Sequence, residues 1–311
     1  MRYSKEVVSL QTNLNIKNYE EQQICCVYIY NVCNVLMHEK MKPFILLLTL
    51  ACIVSCGSNR RANAFLSHMD TLYQQNPAEA IIAIDSFMSC HNDMSQHNRM
   101  LLTLYRLRAQ NSVGEPFASD SLARKVVEYF DDNGSVEEQM SAYYVLGSVY
   151  RDLDNYPEAL ADYQKAVALA DTTDGNKNNA FLNRVYGQMG DVLLSQLAFN
   201  EAGVAYSLAV RFACKDKDTL GVLLSKEQIA NVLYLQNRRD EACKLREWLH
   251  DEYLKNVFVR EASKVLVPNV STLLGRGKVE EVGRILRSYE EHSGDVDSLG
   301  NVVSGLEKYY K

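Results

Sequence analysis

The segment from Ser141 to Ala170 limits the possible folds of this chain most tightly, because it carries two apolar stripes on either side of a turn. Residues three or four apart share one face of an α-helix, so each stripe predicts an amphipathic helix. The stripes consist of Tyr143, Leu146, Gly147 and Tyr150 in the first helix and of Ala159, Tyr163 and Ala166 in the second. Asp154 and Asn155 predict the turn, and Pro157 suits the first turn of a new helix. Glycine inside a helix costs about 1 kcal/mol relative to alanine, so we expect a neighbouring helix to approach closely there.

The same pattern recurs 43 residues further along the chain. The second copy consists of Tyr186, Met189, Gly190, Leu193, Ala202, Tyr206 and Ala209. Weaker copies follow at further spacings of 40 residues, with Ile229, Ala230, Leu233 and Ala242 and then with Val270, Leu273, Leu274, Val282 and Leu286. Similar helix pairs at a fixed period indicate a repeat protein, in which each pair packs against its neighbours. No long stretch alternates as a strand would, so the sequence predicts an all-α fold.

These spacings resemble the tetratricopeptide repeat (TPR), with tyrosines where that repeat often carries tryptophan and phenylalanine. A longer loop at residues 171–175 replaces the usual proline after the second helix. The resemblance implies an α-solenoid of about six TPR-like helical hairpins, wound into a right-handed superhelix with a concave side. Any other antiparallel helical hairpin is the alternative.

The resemblance also assigns a binding groove, because the first helix of each TPR lines the concave side. The residues that it places there are Tyr144, Ser148, Arg151, Arg184, Gln188, Asp191, Glu227, Asn231 and Tyr234. Tyrosine, arginine and amide groups in this mixture suit an extended peptide or a polar loop of a partner protein. A plain solvated face is the alternative.

The remaining chain carries helical patterns before and after these repeats. We expect helices over Ala62–Tyr73, Pro77–Met88, residues 98–110 with Ser95 or Asn98 as the cap, Leu122–Phe130, residues 244–256 and residues 259–274. The last of these should break near Pro268. Residues 56–296 are therefore assigned to the solenoid and residues 297–311 to a C-terminal capping helix.

The beginning of the chain has the features of a lipoprotein signal peptide. The apolar run Phe44–Val54 follows Lys40 and Lys42 and is too short to span a bilayer, which needs about 20 residues. The sequence Ile53-Val54-Ser55-Cys56 resembles the lipobox of bacterial lipoproteins, so Cys56 is the expected site of lipid (palmitate) attachment. Residues 41–55 are then the signal peptide, and residues 1–40 are an upstream extension outside the fold. A buried helix with an incidental cysteine is the alternative.

Composition and motifs exclude several classes of function. The net charge of −6 argues against general nucleic-acid binding. The cysteines and histidines lack the spacing of a metal site, and Gly275-Arg276-Gly277 lacks the residues of a phosphate-binding loop. We therefore expect no cofactor, no metal and no enzymatic activity. Cys214 and Cys243 could form a disulfide, although buried free thiols are the preferred expectation.

The front half of the chain also resembles the periplasmic TPR part of Gram-negative TPR regulatory lipoproteins. That resemblance implies a lipid-anchored scaffold for protein–protein interaction in the cell envelope. The residues after Cys56 favour the inner leaflet of the outer membrane, with the protein facing the periplasm. No run of 18 apolar residues follows Cys56, so a shortened sensory half of a regulator is one alternative. A glycan-capturing outer-membrane lipoprotein is another.

Overall fold

The structure is a computed structural model that describes residues 60–69, 71–170 and 177–292. The expected upstream extension, the signal peptide, Cys56 and the C-terminal capping helix lie outside these residues.

Within the described ranges, all regular structure is helical and no residue is in a strand. Residues 60–69 and 71–75 are helical before the break at Asn76. The helices that follow are α1 Pro77–Cys90, α2 Gln96–Val113, α3 Ser121–Asn133, α4 Val136–Asp152, α5 Tyr156–Leu169, α6 Asn179–Ser195, α7 Phe199–Asp216, α8 Thr219–Leu235, α9 Arg239–Lys255, α10 Val259–Val265, α11 Val270–Gly275 and α12 Val279–His292. A short 3₁₀ helix, Val267–Asn269, joins α10 to α11, so the chain breaks at Pro268 as expected.

The described residues divide into two compact units. The first contains residues 60–68 and Ser89–Asn98. In this unit Ala62, Met94 and Asn98 are buried, and the Asn98 side chain donates a 2.9 Å hydrogen bond to Asn63. The Ser95 hydroxyl accepts a 3.2 Å bond from the Asn98 backbone N–H, so Ser95 caps α2.

The second unit contains the remaining residues and consists of successive helix pairs. The pairs are α2/α3, which share one apolar core cluster with α4, then α4/α5, α6/α7, α8/α9 and the broken helix α10–α11 with α12. Ser135 begins α4 with a capping box, in which its hydroxyl accepts from the Glu138 N–H and the Glu138 carboxylate accepts from the Ser135 N–H at 2.7 Å.

The turn inside each of the last four pairs has the same geometry. A residue with positive φ ends the first helix at Asp154, Leu197, Asn237 and Gly277, at spacings of 43, 40 and 40 residues. The next residue donates its N–H to the carbonyl five residues earlier, at 2.8–3.0 Å, in every one of these turns. This is the hydrogen-bond pattern of a Schellman cap, and it shows that the period predicted from the sequence extends to the fourth and weakest copy.

Helix contacts within a pair depend on small residues in the first helix. A Cβ added at Gly147 would lie 2.7 Å from the ring of Tyr163, and one at Gly190 would lie 2.5 Å from the ring of Tyr206. Ala230 takes the equivalent place in α8 and is fully buried. The prediction of an all-α solenoid of TPR-like helix pairs is confirmed.

The cysteines agree with the preferred expectation in being free thiols and differ from it in their burial. Cys90, Cys214 and Cys243 are all free, so Cys214 and Cys243 do not pair. Only Cys243 of the three is buried, while Cys90 and Cys214 are exposed.

Candidate functional site

The candidate site is the first-helix face, by which we mean the side of α4, α6 and α8 that carries the nine groove residues predicted above. Arg184 is exposed on this face, and seven others are half-buried: Tyr144, Arg151, Gln188, Asp191, Glu227, Asn231 and Tyr234. Ser148 has no exposed surface. It donates to the Tyr144 carbonyl at 3.0 Å and accepts from the Tyr163 hydroxyl at 3.1 Å. Its side chain thus belongs to the packing between α4 and α5, which differs from the sequence-based expectation.

Arg151 links three helices across the first-helix face. Its guanidinium donates to the side chain of Gln188 in α6 and, at 3.1 Å, to Asn111 in α2. It also pairs with Asp152 at 2.7 Å, and this neighbour helps to raise its pKa against the opposing effect of burial. Asn111 in turn donates to the hydroxyl of Tyr144 at 3.3 Å. These bonds fix the side chains of α2, α4 and α6 relative to one another before any ligand binds.

Asn111 is a member of this network that sequence reasoning missed. It lies 40 residues before Arg151, which is the period of the weaker repeats. The α2/α3 pair lacks the glycine of the central repeat, so the pattern that defined the groove was not extended to it. The period itself was the signal that could have found this residue.

A second hydrogen bond recurs in each of the three pairs α4/α5, α6/α7 and α8/α9. The residue after the small residue of the first helix accepts a bond from a large polar side chain of the second helix. The bonds run from Tyr163 to Ser148 at 3.1 Å, from Tyr206 to Asp191 at 2.7 Å and from Arg246 to Asn231 at 2.9 Å. The acceptors Ser148, Asp191 and Asn231, which belong to the nine predicted groove residues, therefore also orient the second helix of each pair against the first.

Arg246 is the unusual member of this series, because it places a charge where the other two pairs have tyrosine. Only 2 % of Arg246 is exposed. It donates to Asn269 at 3.1 Å and lies 5.5 Å from the ring of Tyr234, while its Nε–H has no hydrogen-bond partner. Burial lowers the pKa of this guanidinium, and the nearby carboxylate of Glu227 partly offsets that effect.

Burial also shifts the pKa of the two carboxyl groups on the face. The pKa of Asp191 is raised by burial, against the opposing influence of the Tyr206 hydroxyl and of Arg151. The pKa of Glu227 is raised by burial too, and the 3.0 Å hydrogen bond from Tyr253 opposes that shift. Both carboxyl groups are held by phenol donors from second helices, so they are fixed in position.

The face therefore offers a fixed polar surface with one exposed cation. Arg184 makes no ion pair with any residue in the described ranges. Tyr234 adds a ring and a hydroxyl that lies 3.4 Å from Ser271. Among the described residues, no group of three or more histidine, cysteine, aspartate or glutamate side chains could hold a metal ion. Donors, acceptors and a cation in this arrangement can bind a polar chain by hydrogen bonds.

Comparisons with known proteins gave one family match and several similar structures. The tetratricopeptide repeat family profile matches residues 141–172, which contain most of α4 and all of α5. The apo form of RapI is similar with a TM-score of 0.54 and 12 % identity, over 79 % of this chain and 99 % of that chain. The nearly identical TPR-like repeats attributed to a kinesin light chain of Podosopora anserina give 0.48 and 16 %, over 63 % and 96 %. The apo form of the quorum sensor NprR from B. thuringiensis gives 0.47 and 12 %, over 94 % and 95 %.

The family match and the likeness to RapI describe the fold of this chain. Residues 141–172 match the tetratricopeptide repeat, and the described part of the chain has the fold of a helical-repeat protein. A search of curated protein sequences found no match. No helix in the described ranges is both long enough and apolar enough to cross a membrane.

Proposed function

We propose that this protein is a non-enzymatic scaffold that holds an extended segment of a partner protein on the first-helix face. The network centred on Arg151 supports this proposal most directly, because it joins α2, α4 and α6 into one polar surface. A surface whose side chains are already ordered loses little conformational entropy when a peptide binds. Helical-repeat proteins commonly use such extended surfaces for binding.

We also propose that lipid at Cys56 attaches the scaffold to a bacterial envelope membrane. The proposed place is the outer membrane, with the protein facing the periplasm. The lipobox-like sequence Ile53-Val54-Ser55-Cys56 supports this, together with the apolar run before it. One acyl chain gives only marginal membrane binding, so stable attachment requires more than one chain or a second contact.

The binding proposal is tested by photo-crosslinking in membranes from cells that express the full chain. A benzophenone amino acid replaces Tyr234 on the first-helix face or, as a matched control, Val204, which is 62 % exposed on α7. We expect a discrete partner to be captured from position 234 and not from position 204. Capture from both positions or from neither contradicts the proposal.

A charge change on the face should then weaken that capture. Arg184→Glu reverses the one exposed cation, and Arg211→Glu makes the same change on the exposed side of α7 as a control. We expect Arg184→Glu alone to reduce crosslinking at position 234. Arg151 is a poorer choice, because its bonds to Asn111 and Gln188 also hold the face together.

The lipid proposal has a separate test. Cys56→Ala should abolish incorporation of an alkyne-bearing palmitate analogue and release the protein from membranes. Retention of both label and membrane attachment would show that Cys56 is not the anchor.

A further inference from the structure

A cleft of about 380 Å³ lies between the second helices α3 and α5, away from the nine residues of the first-helix face. Val127 of α3 and Leu146 and Tyr150 of α4 give it an apolar floor. Its two walls carry charged side chains of both signs. Ligand pockets commonly have volumes of about 300–1,000 Å³ and combine apolar surface with a few polar groups, so the cleft has the size of a binding site.

One charge in this cleft is buried. Only 6 % of the Asp162 side chain is exposed. Asp162 forms an ion pair with Lys165 at 2.9 Å, but the Lys165 side chain is itself 56 % exposed. Lys165 also lies 4.9 Å from the ring of Tyr143. Desolvating a carboxylate costs several kcal/mol, and one exposed lysine offsets that cost only in part. The floor of the cleft therefore favours additional positive charge.

Two further carboxylates line the cleft, one from each of its two outer helices. Glu128 lies on the α3 wall and Glu158 on the α5 wall, and neither makes an ion pair with any described residue. Arg124, the other cation of the lining, lies 3.9 Å from the carboxylate of Asp120, which is outside the lining. The lining thus has three carboxylates and two cations, and both cations already have a carboxylate neighbour.

The repeat structure shows that helix packing does not require these charges. At the positions equivalent to Asp162 and Lys165, α7 carries Ala205 and Leu208. These two helices have the same turn geometry and the same glycine–tyrosine contact. A packing position that is alanine in one repeat and a buried carboxylate in the next indicates that the carboxylate serves another purpose.

We propose that the cleft between α3 and α5 is a second docking site that takes a lysine or arginine side chain from a basic segment of a partner protein. The cationic head would lie between Glu128 and Glu158 above Asp162, and its hydrocarbon stem would pack on Leu146 and Tyr150. Long basic side chains commonly bury their stems on apolar surface while the charge makes polar contacts. The site is distinct from the first-helix face and does not depend on the function proposed for that face.

The test uses the full chain labelled with ¹⁵N on leucine and tyrosine, and N-acetylarginine methylamide as the probe at low ionic strength. We expect saturable chemical-shift changes at Leu146 and Tyr150 but not at Tyr234, and the changes should weaken as salt is added. N-acetylglutamine methylamide, which lacks the charge, should give no saturable change at these residues.

The double variant Glu128→Gln with Glu158→Gln should lower the affinity for the probe about fivefold, as expected for the loss of two partly exposed ion pairs. Both residues are exposed, so the fold should persist. The matched control is Glu201→Gln, since Glu201 is equivalent to Glu158 in the repeat with Ala205 and Leu208. An unchanged affinity in the double variant, no saturable shift, or shifts at Tyr234 instead would overturn the proposal. None of these outcomes affects partner capture at the first-helix face.

Discussion

Gly190 lies directly beneath the ring of Tyr206, so that a Cβ at residue 190 would stand 2.5 Å from Cε1 of that ring. The contact repeats between Gly147 and Tyr163 at 2.7 Å. Tyr206 is 1 % exposed and its hydroxyl is bonded to Asp191, so the ring cannot move aside without breaking that bond. The glycine is therefore required by the close approach of α6 and α7.

Gly190→Ala should destabilise the protein by about 1–3 kcal/mol, because the added methyl group overpacks the contact with Tyr206. Gly187→Ala is the matched control in the same helix, since a Cβ there meets nothing within 4 Å. That change should stabilise by up to about 1 kcal/mol through helix propensity alone. Urea unfolding of both variants measures the difference, and equal effects would show that the ring is not the cause.

The sequence predicted the repeats through residues whose size or conformation is unusual in a helix. Glycine at 147 and 190 and tyrosine 16 residues later are visible in the sequence because packing allows few substitutes there. The turn residues Asp154 and Gly277 can be recognised in the sequence in the same way, because aspartate and glycine tolerate positive φ. The period and the helix pairs could therefore be predicted without a structure.

Other features could not be predicted, because tertiary contacts override the local preference. Leu197 and Val257 adopt positive φ although their side chains disfavour it. Arg246 is buried where its type predicts an exposed side chain. Within the candidate site, the repeat spacing is enough to place Arg184 on the first-helix face, but the burial of Ser148 depends on Tyr163 in another helix.

Asn269→Leu should destabilise the protein by about 3 kcal/mol, because it removes a partner from a buried guanidinium whose Nε–H is already unpaired. Adding Arg246→Leu should recover at least about 1 kcal/mol, since the charge that needed the partner is then absent. A double-mutant cycle by chemical denaturation measures this coupling. Strictly additive losses would mean that Asn269 acts through its own packing.

Val257→Asn should stabilise the protein by about 1 kcal/mol, because a β-branched residue at φ of 66° is strained and asparagine tolerates this region. Val257 is 80 % exposed, so little apolar burial is lost. Val259→Asn makes the same exchange at another exposed valine, which does not have positive φ, and should change stability by less than about 0.5 kcal/mol. Thermal unfolding compares the two, and a gain at both positions would exclude backbone strain as the reason.

Alkaline pH should unfold the protein through its buried tyrosines. Burial raises the pKa of Tyr163, Tyr206 and Tyr253, and burial with a hydrogen bond to Asp131 raises the pKa of Tyr143 to about 12. The unfolded chain ionises these groups near pH 10, so above that pH it binds fewer protons than the folded chain. Their contribution to stability is complete below about pH 10 and is lost as the pH rises towards the folded pKa values.

Between about pH 10 and the folded pKa values, each of the three fully buried tyrosines should reduce the free energy of unfolding by up to about 1.4 kcal/mol per pH unit. The ultraviolet absorbance of tyrosinate should therefore show a gradual titration of exposed tyrosines followed by a cooperative step that coincides with loss of helical circular dichroism. Tyr206→Phe should make the free energy of unfolding fall less steeply with pH, because about one proton fewer is released on unfolding. This holds whatever the effect of the variant on stability at neutral pH. Smooth ionisation of all 19 tyrosines near pH 10 while the helices persist would contradict the raised pKa values of these four phenols.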